Sequence, residues 1–173
     1  EFWKQEVISV KEDLEQFYGI TITDDQIRNA IKLRNRERKA VLDFFEVARL
    51  KPSPISGYEI NTVISSNEFS PDLEEKIAFL NQRTAELKNL YEGEYKGKPS
   101  RPRVLITGCP TNGVMDKIVK RIEELGADVV GFENCCGPRE KKDPIDEEKD
   151  PITAIAEKYL RVNCSVMSPN PGR

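Results

Sequence analysis

Two short apolar runs, Val104-Leu-Ile106 and Val129-Val-Gly-Phe132, flank an amphipathic stretch, and each run breaks off into a loop carrying cysteine and glycine. The stretch from Met115 to Leu125 places Ile118, Val119, Ile122 and Leu125 on one side at helical spacing, with Lys120, Arg121, Glu123 and Glu124 opposite. Gly126 follows as a cap. Strand, helix and strand within about thirty residues form a βαβ unit, which dictates a parallel pair and a right-handed crossover. Apolar β-branched runs of this kind predict buried strands. The loops Gly108-Cys-Pro-Thr-Asn-Gly113 and Asn134-Cys-Cys-Gly-Pro-Arg139 then lie at the carboxyl ends of the strands, where open α/β sheets hold ligands.

The chain divides near Lys96-Gly-Lys-Pro-Ser-Arg-Pro102, giving a helical segment over 1–97 and part of a Rossmann- or flavodoxin-like α/β domain, a parallel three-layer fold, over 98–173. Phe2, Val7, Val10, Leu14 and Phe17 recur at helix spacing, and Gly19 offers a left-handed end. Thr23 caps a second helix that carries Ile27, Ile31, Leu33, Val41 and Phe45 and stops before Pro52. Its charged middle, Arg34-Asn-Arg-Glu-Arg-Lys39, reads as a solvated face, or else as a docking surface for an acidic partner or a phosphate. A shorter helix covers Ser56 to Ser65. Ser70 and Pro71 open a long one with Ile77, Leu80, Ala85, Leu87 and Leu90 inward. The aromatic residues, Trp3 included, are most simply core. After an exposed charged loop over 140–149, Asp150 and Pro151 begin a helix with Ile152, Ile155, Ala156, Tyr159 and Leu160 inward. A third strand follows over 162–167.

Composition narrows the function. A net charge of −3 argues against a nucleic-acid binder relying on a broad basic face. No apolar run reaches the ~20 residues of a membrane helix, and the charged start is unlike a signal peptide, so a cytoplasmic protein is expected. The absence of Met at position 1 suggests an excised piece of something longer. With no histidine, any metal must take thiolates or carboxylates.

Four cysteines in such a chain suggest thiols or metal ligands before disulfides. Gly108 and Gly113 bracket a loop like the front half of a phosphate loop, but Val114 and Met115 replace its Lys and Ser/Thr. It reads either as a tight βα turn or as backbone N–H groups that favour an anion, and Cys109 lies within it. Cys135 and Cys136 are the stronger signal. Neighbouring residues of an extended chain point apart, so both are not easily packed away, and Arg139 nearby favours thiolates suited to iron. Cys109 and Cys164 read first as buried, inert strand-end cysteines. Asn163, Asn170 and Arg173 bracket the last strand end, as ligand contacts or turn residues.

Taken in order, Arg103-Val-Leu-Ile-Thr-Gly-Cys-Pro110, Glu133-x-Cys-x-Gly-x-Arg139, Asp150-Pro-Ile-x-Ala-x-Ala-x-Lys-Tyr-Leu160 and Asn163-Cys-Ser-Val-Met-Ser-Pro-Asn170 resemble the 2-hydroxyacyl-CoA dehydratase D-component family. That family also holds benzoyl-CoA reductase subunits and double-cubane cluster proteins. The resemblance implies an oxygen-sensitive enzyme with an iron–sulfur cluster (4Fe-4S or double-cubane) held between two Rossmann-like domains. An ATP-dependent activator passes it one low-potential electron. In dehydratases that electron generates a ketyl radical on the acyl-CoA so that the hydroxyl can leave. A second dehydratase subunit or a homodimer is implied, as is an acyl-CoA or small-molecule substrate. Cys135 matches the family's cysteine, while Cys136 is an extra that looks more like the double-cubane branch. Gly108, Cys109, Gly113 and Arg139 are then cofactor-binding candidates, with Cys135 and Cys136 as metal ligands. The segment alone is expected to bind no cluster and to be inactive. The alternative from another class is a non-catalytic helical and α/β interaction module.

Overall fold

Local signals set most of the helix ends. In the computed structural model, whose described residues are 1–108, 113–134 and 137–162, α1 spans Phe2–Tyr18 and ends at Gly19 with φ 64°. Helix α2, Asp24–Val47, starts with a reciprocal box: Gln26 N–H donates to Thr23 Oγ1 at 3.3 Å, and Thr23 N–H donates to Gln26 Oε1 at 2.8 Å. Replacing Thr23 with alanine is expected to cost about 1 kcal/mol, read as a lowered urea midpoint with unchanged slope. Ser56 and Glu59 repeat the device for α3, Gly57–Ser66. Helix α4, Leu73–Leu90, runs on into a π-helical turn, Tyr91–Tyr95. Its cap is Asp72, which accepts from Glu75 N–H at 3.0 Å, and not Ser70 as the proline suggests. Helix α6, Pro151–Arg161, has Asp150 as cap and Pro151 in its first turn, as expected.

Strands β1, Arg103–Thr107, and β2, Asp128–Glu133, pair in parallel, so the expected α/β architecture and its βαβ core are present. Val104 pairs with Val129 but Leu105 pairs with Gly131, leaving Val130 as a bulge. The extra residue shifts the phase of β2, so Val129 and Phe132, three apart, are both buried. The buried-strand expectation fails at Leu105, 60% exposed, because the described helices cover one face of the pair. The connecting element is a π-helical turn, Met115–Lys120, followed by α5, Arg121–Glu124. Val119 is buried, as the spacing predicts, while the wider winding leaves Ile118 and Leu125 exposed, against the α-helical expectation.

One core joins helices and sheet: Phe44 from α2, Ile60 from α3, Leu80 from α4, Val119 and Val129 are all fully buried and belong to a single cluster. Tertiary caps reinforce it. The Arg103 guanidinium donates to the Ala48, Arg49 and Leu50 carbonyls at the end of α2. The Glu123 carboxylate accepts the Gly57 and Tyr58 N–H groups at 2.6 and 3.4 Å, at the start of α3. A Cβ on Gly57 would lie 2.6 Å from Val129, so only glycine allows α3 to sit this close to β2.

Other expectations are corrected. Helix α1 buries no residue: Phe2, Trp3 and Phe17 are exposed, because its neighbour among the described elements is α6 on one side alone. On α6, Tyr159 and Leu160 are exposed while Ala154 and Lys158 are buried. The charged loop after β2 is held down, not free. Asn35 Nδ2 donates to the Ile145 carbonyl at 2.8 Å, Asn35 Oδ1 accepts its N–H at 2.9 Å, and Ile145 is buried. The expected strand over 162–167 falls outside the described residues from 163 onward. No helix among the described residues is long and apolar enough to cross a membrane.

Candidate functional site

Parallel pairing in register brings matching strand ends side by side, and Thr107 is the partner of Glu133. The Thr107 hydroxyl donates to Glu133 Oε2 at 2.6 Å. The Glu133 carbonyl accepts Gly108 N–H at 3.2 Å and Arg139 Nη2 at 3.2 Å. The other carboxylate oxygen, Oε1, pairs with Arg139 Nη2. Glu133 is therefore the hub that ties together the start of the first cysteine loop, the start of the second, and the return of the second to the sheet.

The return is tight. Gly137 N–H donates to the Asn134 carbonyl at 3.1 Å, so the residues flanking Cys135 and Cys136 are held together. A Cβ on Gly137 would fall 1.9 Å from the Phe132 carbonyl oxygen, which only glycine avoids. Gly108 and Gly113 have φ of 117° and 83°, values natural to glycine, and nothing crowds either one. Cys109, Cys135, Cys136, Cys164, Asn163, Asn170 and Arg173 lie outside the described residues. Of the predicted site residues, the structure brings Gly108 and Arg139 together on Glu133.

Behind the loop lies a layer of charge. Glu37, in the middle of α2, is fully buried. Lys76 Nζ stands 2.8 Å from its Oε1, Lys141 Nζ 3.5 Å from the same oxygen, and Arg34 3.9 Å from Oε2. Neither oxygen receives an aligned hydrogen bond, so close positive charge is what stabilises it. Burial pushes the carboxyl up, but Lys76, Lys141 and Arg34 outweigh it and hold the group below the usual range. Arg38, 2% exposed, donates to Glu140 Oε1 at 3.3 Å and to the Tyr159 hydroxyl at 3.4 Å. Buried Lys158 donates to the Glu140 carbonyl at 2.9 Å, and burial, with Arg38 adding to it, lowers its pKa. Glu140 is itself held low, burial being outweighed by Lys141 and Arg38. The segment from Gly137 to Lys141 is thus fastened to α2 and α6, with Lys76 of α4 sharing the Glu37 carboxylate. The expected solvated face over 34–39 is corrected at Glu37 and Arg38.

A groove of about 330 Å³ opens beside the hub, between Phe45 of α2 with Arg49 just past its end, and Leu105, Phe132 and Arg139. A larger hollow of about 400 Å³, around Pro52, Arg101 and Asp128, lies at the amino ends of the strands and away from the cysteine loops. Among the described residues no group of three or more His, Cys, Asp or Glu could hold a metal ion. Iron–sulfur clusters take thiolate ligands and respond to hydrogen bonds on their sulfurs. The described strand ends fit that need on the donor side: Arg139 is 9% exposed at its side chain, and its Nη1 is buried with no hydrogen-bond partner among the described residues.

Sequence reasoning missed Glu133 as the hub and Thr107 as its partner. Their pairing depends on the strand register, which the bulge at Val130 sets. For Glu37, Lys76 and Glu140 no local signal existed.

A family model described as 2-hydroxyglutaryl-CoA dehydratase, D-component, matches residues 1–173. YjiM of Escherichia coli (strain K12), named as a dehydratase subunit, is 40% identical over 171 residues, which cover 99% of this chain and 44% of YjiM. The (R)-phenyllactyl-CoA dehydratase beta subunit of Clostridium sporogenes is 27% identical over 167 residues, 96% of this chain and 43% of that subunit. The chain spans less than half the length of these relatives.

Proposed function

The chain belongs to the 2-hydroxyglutaryl-CoA dehydratase D-component family, and on that premise we propose that it is the piece of a cytoplasmic dehydratase or reductase subunit that presents thiolates from two strand-end loops to an iron–sulfur centre. The ligands in this reading are Cys135 and Cys136, with Cys109 from the neighbouring loop. When bound, the centre supplies one-electron chemistry, fed by an ATP-dependent activator and spent on a 2-hydroxyacyl-CoA or, in the double-cubane manner, on a small molecule. A second subunit or second copy completes the assembly. The segment alone is expected to bind no cluster, since the remaining thiolates come from the rest of the subunit.

The observation that supports this reading most directly is the hub. Glu133 accepts from both Gly108, which precedes Cys109, and Arg139, which follows Cys135 and Cys136. The two cysteine loops therefore leave the sheet from adjacent points. The chain's own tasks are to hold those points together through Glu133, to fix the loop's return through Gly137, and to anchor it from behind through Lys141 and Glu140.

The test uses the full-length subunit. Anaerobic reconstitution with iron and sulfide should give a brown protein containing both, with a paramagnetic signal on reduction. A colourless product with no bound iron ends the proposal. The alternative of a partner-docking module drew on the charged run over 34–39, and the burial of Glu37 and Arg38 takes two of its charges out of reach.

A further inference from the structure

One buried donor at the strand ends is not used by the hub. Arg139 spends Nη2 twice on Glu133, while Nη1 is removed from solvent and has no hydrogen-bond partner among the described residues. A buried guanidinium N–H left unmatched is unfavourable, and such exceptions call for an unseen acceptor. The Glu133 carboxylate fixes the orientation of the fork, and Thr107 fixes Glu133 in turn from β1. Pro138 stiffens the chain immediately before Arg139, and the Glu140 carbonyl just after it is fastened by Lys158. The spare donor is therefore held on a rigid mount, on a residue that lines the groove at Leu105 and Phe132.

We propose that Arg139 is a positioning residue whose Nη1 donates a hydrogen bond to anionic sulfur of the centre housed at these strand ends, with Glu133 holding the guanidinium in place. This rests on the iron–sulfur reading above and adds a residue to it that is not a ligand. A positive donor favours the more negative, reduced form of the centre, so Arg139 raises its midpoint potential. Glu133 opposes it, because its carboxylate places negative charge against the same guanidinium.

The two charges predict shifts of opposite sign in the reconstituted full-length protein. The Arg139→Gln variant retains its iron and titrates at a lower midpoint than the unaltered protein. Glu133→Gln loses the negative charge, keeps its amide oxygen and main-chain carbonyl as acceptors for Arg139, leaves the Thr107 hydroxyl to accept from the amide N–H, and titrates at a higher midpoint. Both are read by redox titration followed through the paramagnetic signal, with iron measured per chain. A merely structural arginine would change iron content or thermal midpoint and leave the potential of the surviving centre in place. If R139Q holds iron and titrates with the unaltered protein, the inference is wrong. If R139Q does not fold, E133Q decides alone, and an unmoved or lowered midpoint overturns the proposal. Absence of iron in the unaltered protein would instead sink the reading on which this one rests.

Discussion

Replacing Gly137 with alanine is expected to lower unfolding stability by about 3–4 kcal/mol, the scale of a severe single substitution. The added methyl meets the Phe132 carbonyl oxygen at 1.9 Å and its carbon at 2.9 Å, and these are backbone atoms of β2 that no side-chain rotation can move aside. Relief requires the loop to lift off the strand. That breaks the Gly137 N–H bond to Asn134 and drags Arg139 from Glu133. The urea midpoint should fall steeply, and in the full-length protein the iron content should fall with it. Gly93 is the control. It lies in the π-helical turn after α4, has no positive φ, and an added Cβ there meets nothing within 4 Å. Alanine at Gly93 should be neutral or stabilising by up to about 1 kcal/mol. Equal losses at both positions would contradict the steric account.

What the sequence disclosed, it disclosed where the cause was local. Thr23, Ser56 and Asp150 cap helices because their own side chains reach the first free N–H groups a few residues on. The parallel pair followed from two apolar runs joined by one amphipathic helix. Failures occurred where a distant element decides. Apolar residues at helical spacing cannot say whether a partner exists to bury them, and α1 is mostly bare. Helical spacing also presumes α winding, and the π turn at Met115–Lys120 keeps Val119 inward but turns Ile118 out. The carboxyl ends of β1 and β2 were legible as the place where the two cysteine loops begin side by side. Its hub, Glu133, needed the strand register, and a one-residue bulge at Val130 set that register.

The buried charge at Glu37 leads to the second large effect. Lys76→Met keeps most of the aliphatic stem but removes the ammonium 2.8 Å from Oε1. Breaking a buried pair by deleting one partner costs about 3–5 kcal/mol, and the lower end applies because Lys141 and Arg34 remain. The deficit should depend on pH in a definite direction. Burial raises the Glu37 carboxyl pKa and the three cations lower it by more, so it stands below the ordinary value in the native protein. A group depressed in this way contributes stability above the unfolded-state pKa, and the contribution disappears as pH falls through the folded one. Loss of Lys76 moves the folded pKa upward, so the variant protonates Glu37 earlier on acidification. The gap between the two proteins is therefore widest near neutrality and narrows below the carboxylate range. Replacing both residues, Glu37→Met with Lys76→Met, should recover most of the loss, since no unpaired charge stays in the core. Urea unfolding of the unaltered protein, K76M, E37M and the double variant at neutral and acidic pH measures the coupling. A deficit that stays constant with pH, or a double variant as weak as K76M, would mean that packing around α2 and α4, rather than the paired charge, is what Lys76 provides.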